Sequence, residues 1–291
     1  MEASVITNIL LPLALGVIMF GLGLSLTHED FRRVAVYPRA VVAGLVLQMV
    51  VLTAAAYGVA KLFALSPELA VGLMLLAASP GGATANIFSH LARGDVALNI
   101  TITAINSALS LLTLPFIVNW SLDHFLGRGQ YIPPPVGKIV EVAAIIVLPV
   151  VLGMIVRSRA PGFAQRMERP IRLFAVLVLA LLVAGAIVQN WKILGPALAA
   201  VGLACLGFNL ISLAVGYAAP LALKLPNRQA IAIAMEIGIH NGTLAIFIAL
   251  SVLEKPQMSL APAICSLVMF LTAAVFVVVL GRRHAPAPAR A

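Results

Sequence analysis

Long apolar stretches, each of about 20 residues and separated by short polar connections, run through the whole chain. The hydrocarbon core of a bilayer is about 30 Å thick, so a helix needs about 20 apolar residues to cross it. Nine stretches reach this length, at roughly 5–26, 38–64, 69–92, 96–120, 137–157, 170–190, 196–222, 229–253 and 258–281. With 62% hydrophobic and only 10% charged residues, the chain cannot fold as a water-soluble globule. No strand-like alternation occurs, so the sequence predicts an all-α polytopic membrane protein.

Basic residues are distributed unevenly between these stretches. Fourteen of the nineteen Lys and Arg residues lie after the first, third, fifth and seventh spans or in the C-terminal tail. The positive-inside rule therefore predicts a cytoplasmic C-terminus, and nine spans then predict an external N-terminus. This topology accounts for the net charge of +9 without a nucleic-acid partner. Met1-Glu2 offers no basic n-region, so a cleaved signal peptide is not expected.

Glu236 is the one carboxylate that lies deep inside an apolar stretch, and glycines interrupt the segment around it, Met235–Gly242. An ionisable group at membrane depth costs about 2.5–3.5 kcal/mol on insertion scales, and such groups mark ion or substrate pathways. A second interrupted segment, Ser79–Asn86, lies in the other half of the chain. Paired broken segments indicate the binding site of a secondary transporter. Transport is therefore the predicted function.

The two halves can be aligned by placing Ala70–Asn86 over Ala230–Ala245. In this register spans one to four match spans six to nine in opposite orientation, which predicts an inverted repeat whose fifth span has no partner. The first repeat covers 1–130 and the second 131–291. The segment Tyr131–Pro135 reads as a linker between them, because its three prolines cannot continue a helix.

Two crossed broken helices would bring two half-helix N-termini to one place, and their free N–H groups attract an anion. Four residues open the restarted half-helices and are the predicted contacts for a substrate carboxylate or sulfonate: Ala83, Thr84, Asn241 and Gly242. Unwound carbonyls and the Glu236 carboxylate would instead attract a hard cation, which prefers oxygen ligands. An anion and a cation bound side by side imply coupled transport.

Several motifs in this chain resemble the bile acid:sodium symporter family of secondary transporters, in its bacterial branch. The resemblance covers nearly the whole chain and rests on four strings: Met19–Leu26 followed by Asp30-Phe31, Ser79-Pro-Gly-Gly with Asn86, Leu91–Leu98, and Glu236–Asn241. It implies a core domain, from about 38–120 and 196–281, packed on a panel domain from about 5–26 and 137–190. It also implies alternating access, a bacterial inner-membrane location and a monomer.

The resemblance implies two sodium sites that share Glu236. The first would comprise Asn86, Asn99, Thr103 and Glu236, and the second Gln48, Glu236, the carbonyls of Ile237 and Ile239, and the side chain of His240. Three positions depart from the family pattern: Ala85 replaces a hydroxyl residue, Asn99 a serine and His240 a glutamine. Because imidazole is a poor ligand for a hard alkali cation, we expect either one sodium ion per cycle, a proton in place of the second, or a neutral His240 that only shapes the site.

Other functions are less consistent with these residues. The chain has no metalloprotease or hydrolase motif and no pair of deep aspartates, so an intramembrane enzyme is not expected. Proton-coupled anion transport through His240 and Glu236, a cation/proton antiporter, an arsenite carrier and a channel stay as alternatives. The expected substrate is an organic monoanion, either bile-acid-like or a small carboxylate such as pantoate. Cys205 and Cys265 are interpreted as packing residues within apolar spans.

Overall fold

A computed structural model of the chain describes residues 9–127, 136–189 and 191–283. Within these ranges the chain is almost entirely helical, and no strand is present. We number the α-helices in chain order: α1 (Leu11–Ser25), α2 (His28–Arg32), α3 (Pro38–Val46), α4 (Leu52–Leu62), α5 (Pro67–Ala78), α6 (Ala83–Leu91), α7 (Val96–Leu126), α8 (Val136–Arg159), α9 (Pro161–Gln189), α10 (Trp191–Ala222), α11 (Asn227–Gly238), α12 (Gly242–Phe247) and α13 (Leu260–Arg283). Single π or 3₁₀ turns lie at Arg33–Ala35, Leu47–Val51, Ile248–Val252 and Pro256–Ser259.

The surface of the described helices is apolar to a degree that only a bilayer can accommodate. Large hydrophobic side chains such as Leu62, Phe116 and Leu271 are 80%, 83% and 69% exposed. Among the described residues, three helices are long and apolar enough to cross a membrane. The number rises to five if two bent pairs, Leu11–Ser25 with His28–Ala35 and Val96–Ser110 with Leu112–Leu126, each form one span. The all-α membrane class is confirmed in this form, whereas nine spans and the inverted repeat stay predictions.

The predicted linker at Tyr131–Pro135, the N-terminal Met1-Glu2 and the tail from His284 onwards lie outside the described residues. The division into core and panel domains also stays a prediction.

Both predicted breaks are present. The first lies between α5 and α6, where Ser79 adopts an extended backbone, and the second lies between α11 and α12. All residues of α11 from Ala230 to Gly238 are buried, as expected of a helix that is surrounded on every side. The two breaks lie together, because Gly81 pairs with His240 in a single antiparallel bridge.

Helices α1 and α8 approach each other closely through glycines. A Cβ on Gly153 would overlap the backbone of Phe20, and one on Gly23 would lie 2.9 Å from Val150 Cα. Small residues at such contacts allow membrane helices to pack backbone against backbone. These two helices therefore form a tight pair.

The interpretation of Cys205 and Cys265 as simple packing residues is wrong. They form a disulfide that joins α10 to α13, with their Cα atoms 4.9 Å apart. The apolar pattern identified each cysteine as a membrane-buried residue but contains no information on which helices are neighbours. The pairing of α10 with α13 brings the two sulfur atoms together.

We predict that this disulfide leaves no thiol for alkylation. The chain has two cysteines, so a denatured sample treated with polyethylene-glycol maleimide should show no mass shift on a gel, and two additions after reduction. The Cys205→Ser variant is the matched control and should take up one reagent molecule without reduction. Two additions to the unreduced wild type would contradict the pairing.

Candidate functional site

Glu236 lies in the last turn of α11, fully buried, at the meeting point of the two breaks. Thr103 of α7 donates a hydrogen bond from Oγ1 to Glu236 Oε2, at 2.5 Å. Gly81 of the first break lies directly against the same carboxylate. A Cβ at Gly81 would lie 2.5 Å from Cδ of Glu236 and 2.6 Å from Oε2. The carboxylate therefore fits because residue 81 has no side chain.

Gln48 reaches the first break from the second span. It lies in the π turn Leu47–Val51 and is 2% exposed, and such turns often occur at functional sites. Its Nε2 donates to the carbonyl oxygens of Ala77, at 3.2 Å, and Ser79, at 3.1 Å. These two acceptors fix the orientation of the amide, since the opposite orientation would turn its oxygen towards two carbonyls. Oε1 consequently faces away from them, buried and without a hydrogen-bond partner in the described part of the chain.

His240 completes the link between the two breaks. Its Nδ1 lies 3.2 Å from Gln48 Nε2 and 3.4 Å from the Ser79 carbonyl oxygen, and its ring stacks on Phe208 at 5.5 Å. The tautomer decides whether Nδ1 accepts from the Gln48 amide or donates to the Ser79 carbonyl. Nε2 is buried and has no hydrogen-bond partner in the part of the chain that the structure describes. A doubly protonated ring would direct a donor at the Gln48 amino group.

Four side-chain oxygens of the predicted sodium ligands are buried and have no hydrogen-bond partner among the described residues: Gln48 Oε1, Asn86 Oδ1, Asn99 Oδ1 and Glu236 Oε1. Asn99 is fixed like Gln48, because its Nδ2 donates to the Ala232 carbonyl at 2.7 Å. A buried acceptor without a partner costs about 1–3 kcal/mol. Buried oxygens without a partner suit a hard cation, which would supply the missing partner.

The end of α11 exposes further backbone oxygens. The helix ends at Gly238, so the carbonyl groups of its last turn lack intrahelical donors. The Gly238 carbonyl accepts from Asn209 Nδ2 at 2.6 Å, while Thr272 donates to Asn209 Oδ1. Asn209 of α10 thus joins this helix to α11 and α13. The carbonyls of Ile237 and Ile239 flank this anchored position and belong to the predicted second site.

The place where the two breaks meet is called the crossover below. A cavity of about 390 Å³ adjoins it. Three of the four residues predicted to contact the anion line it, namely Thr84, Asn241 and Gly242; Ala83 begins α6, and its side chain is not described. The opposite wall comes from α1 and α9 and is mostly apolar, with residues such as Leu22 and Ile171. A mostly apolar cavity with a few convergent polar groups is typical of a site for an organic solute.

Some site residues did not stand out in the sequence. Asn106 is 2% exposed and its Nδ2 has no hydrogen-bond partner in the region described. It follows Asn99 and Thr103 at positions i, i+4 and i+7, which lie on one face of a helix. This spacing is the signal that would have identified Asn106. Phe208 and Thr272 have no comparable signal, because their roles depend on contacts between distant segments.

The model of the sodium bile acid symporter family matches residues 12–196. The match includes the first break and α7, while the second break and Glu236 lie beyond it.

Individual relatives are similar over most of this chain. A probable sodium/metabolite cotransporter of Oryza sativa subsp. japonica, BASS1, is 28% identical over 85% of this chain and 60% of its own length. The sodium-dependent transporter YocS of Bacillus subtilis, described as uncharacterized, is 26% identical over 81% of this chain and 72% of its own length. The P3 protein of Mus musculus is 30% identical over 84% and 52%. The chain thus spans between about half and three quarters of these relatives.

We predict that Gly81→Ala disturbs the carboxylate of Glu236 while the helices stay intact. The added methyl group would overlap the carboxylate, and overpacking of this kind costs about 1–3 kcal/mol. If that cost acts on the ion-bound form, apparent sodium affinity falls about 5- to 150-fold. The apparent sodium affinity can be measured from the rise in melting temperature of the purified protein as sodium is added.

Gly58→Ala is the matched control, because a Cβ at Gly58 has no atom within 4 Å. It should keep the wild-type sodium dependence. Equal sodium titrations for Gly81→Ala and the wild type would show that the close approach does not matter for ion binding.

Proposed function

The chain belongs to the sodium bile acid symporter family, and we propose that it is a secondary transporter that couples sodium to the movement of an organic anion. The family is one of transporters, not enzymes. Two relatives named as a sodium/metabolite cotransporter and a sodium-dependent transporter support sodium as the coupling ion. Sodium is here a co-transported substrate that binds and leaves in each cycle.

The observation that carries the proposal is that four side-chain oxygens of the predicted ligands, Glu236 Oε1 included, are buried without a hydrogen-bond partner among the described residues. We propose that Asn86, Asn99, Thr103 and Glu236 bind one sodium ion. Gln48, Glu236 and the carbonyls of Ile237 and Ile239 would bind a second. Amide and carboxylate oxygens are ligands suited to a hard cation. The amide nitrogens of Gln48 and Asn99 donate to backbone carbonyls, and their amide oxygens therefore point away from those carbonyls.

His240 supports the second site as a neighbour of its ligands. Its Nδ1 lies within hydrogen-bond distance of Gln48 Nε2 and the Ser79 carbonyl oxygen, and an imidazole nitrogen is a poor ligand for a hard alkali cation. Its role is to fix Gln48 against the first break. We therefore propose sodium coupling with a permanently neutral His240.

The cavity beside the crossover is the proposed anion site. Its volume of about 390 Å³ falls in the range of small-molecule sites. The N-termini of α6 and α12 adjoin it. At α12 the N–H groups of Asn241 and Gly242 already donate to the carbonyls of Pro80 and His240, so the N–H groups that open α6 are the proposed backbone donors to a carboxylate or sulfonate. This cavity favours an organic solute over the cation/proton antiporter alternative, which needs only an ion site.

Alternating access would follow from movement between two groups of helices. Helices α1 and α9 form one wall of the cavity, and residues of α6 and α12 form the other. We propose that these walls belong to the panel and core domains of an inverted repeat. The transporter would act as a monomer in a bacterial inner membrane, with the N-terminus outside.

The number of ions decides the electrical character of the cycle. Two sodium ions with one monovalent anion move one net positive charge, which gains about 2.3 kcal/mol per 100 mV of membrane potential. One sodium ion with the same anion is electroneutral. The potential dependence of uptake therefore distinguishes one ion from two.

We predict that Glu236→Ala abolishes sodium-driven uptake, because it removes the carboxylate shared by both proposed sites. Proteoliposomes would carry an imposed sodium or proton gradient and receive a panel of labelled organic anions that includes pantoate and taurocholate. Uptake by the variant should fall to the level of empty vesicles. Glu29→Ala changes an exposed carboxylate and should transport like the wild type.

Two outcomes of the same experiment would contradict the proposal. Uptake driven by protons but not by sodium would indicate proton-coupled anion transport through Glu236 and His240. If the wild type moved none of the anions but exchanged sodium for protons, the antiporter alternative would replace the symporter.

We predict that His240→Gln keeps the pH dependence of transport unchanged between about pH 5.5 and 8. A glutamine amide offers one donor group and one acceptor in place of those of the neutral imidazole, so no titrating group is lost if His240 is never protonated. Initial uptake rates across this range measure the effect. A pH profile that is flattened in the variant would show that His240 takes up a proton during the cycle.

A further inference from the structure

One end of the cavity carries charge. Glu168 and Arg172, both on α9, line it together with His90 of α6. Arg172 donates from Nη2 to Glu168 Oε1 at 2.5 Å, and the two side chains are 38% and 55% exposed. Among the residues that line this cavity, Arg172 is the one lysine or arginine.

Arg172 and the crossover lie at different levels of the same cavity wall. The lining residues Ile171, Ala175 and Leu179 follow one another along a single face of α9. Leu179 lies near the second break, since its Cδ1 would be 3.6 Å from a Cβ on Gly242. Arg172 precedes Leu179 by two helical turns, a distance of about 10 Å along the axis.

We propose that Arg172 is a second anion-binding position between the solution and the crossover. There the carboxylate or sulfonate of the solute binds Arg172 in place of the Glu168 carboxylate. The proposal rests on the proposed function for the identity of the solute. It adds a specificity-determining residue at the opposite end of the cavity from the half-helix N-termini.

The ion pair between Arg172 and Glu168 is weak enough for another carboxylate to replace Glu168. An exposed pair of this kind contributes only about 0–1 kcal/mol, so an incoming carboxylate can replace Glu168 at little cost. A guanidinium carries five N–H donors in a planar fork, and the recorded bond to Glu168 uses one of its terminal nitrogens. An arginine can therefore hold Glu168 and begin to bind a second oxyanion before the first bond breaks.

The position of Arg172 also allows it to select for charge. The wall between Arg172 and Leu179 is apolar on α9, and α1 contributes residues such as Met19 and Leu22 opposite it. In a cleft with apolar walls, a single charge acts on entering ions more strongly than on an open surface. A solute with an acidic group and an apolar body would bind with its acidic group at Arg172 and its body against the apolar wall.

The proposal can be tested without the natural solute, by measuring how fast a charged thiol reagent reaches a cysteine near Arg172. Ser25 lines the cavity one turn after Gly21, and a Cβ on Gly21 would overlap Ile171, the neighbour of Arg172. Because both native cysteines are in a disulfide, Ser25→Cys introduces a single reactive thiol. Its reaction rates with anionic sulfonatoethyl and cationic trimethylammonioethyl methanethiosulfonate would be compared in phosphatidylcholine vesicles, which contain no anionic headgroup.

We predict that Arg172→Gln lowers the anionic-to-cationic rate ratio about tenfold, within the range for charge focusing in clefts. Arg172→Lys should keep most of the ratio, and Glu168→Gln should raise it. Arg169→Gln is the matched control, because Arg169 is exposed on the same helix and does not line the cavity. An unchanged ratio in Arg172→Gln would overturn the proposal.

Uptake kinetics separate this proposal from the proposed function. Arg172→Gln should raise KM for labelled pantoate or taurocholate offered from the cytoplasmic side, on which the predicted topology places this residue, and Glu168→Gln should lower it, while the sodium dependence stays that of the wild type. A wild-type protein that transports neither anion would contradict the proposed function, and the thiol assay would still decide the role of Arg172. Unchanged KM values in a transporting Arg172→Gln variant would exclude Arg172 as a solute contact.

Discussion

The interruption of two helices at membrane depth is the constraint on which the rest of this structure depends. Each break leaves backbone N–H and C=O groups without helical partners in a region where water is scarce, and each unsatisfied group is costly. The breaks satisfy one another: the Asn241 N–H donates to the Pro80 carbonyl at 2.8 Å, and Gln48 and Asn209 supply side-chain donors to the carbonyls of Ser79 and Gly238. The surrounding helices hold those two side chains in place.

The same arrangement explains why the site has an excess of acceptors. Side-chain amides that donate to the backbone must direct their oxygens elsewhere, and around Glu236 those oxygens lie in a buried region. Stabilising the breaks and creating the proposed cation site would therefore be two results of one set of hydrogen bonds. The cavity adjoins this region, so the proposed ion and anion sites share structural elements without sharing ligands. Coupling between them follows if movement at one break is transmitted to the other through the bridge of Gly81 and His240.

The sequence was most informative where a single residue violates a strong pattern. Glu236 and the glycine- and proline-containing breaks stand out against apolar surroundings, so the helical membrane class and the positions of both breaks could be predicted. Contacts between distant segments could not. The Cys205–Cys265 pair, the stacking of Phe208 on His240 and the close approach of Gly81 to the carboxylate depend on which helices are neighbours, and an apolar periodicity does not encode that. Asn106 is intermediate, because its helical spacing from Thr103 was visible but its burial was not.

The bridge between the breaks also has a consequence for biosynthesis. Ser79 and His240 are separated by 161 residues, so the first break emerges from the ribosome long before its partner exists. Until α11 and α12 are inserted, Gln48 is the one side-chain donor described for the carbonyls of the first break, and Glu236 has not been made. The proposed ion site would therefore be among the last features to form, because contacts of such long range are slow to establish. A nascent chain interrupted before the second break would hold a nearly complete set of N-terminal helices and no capacity to bind the coupling ion.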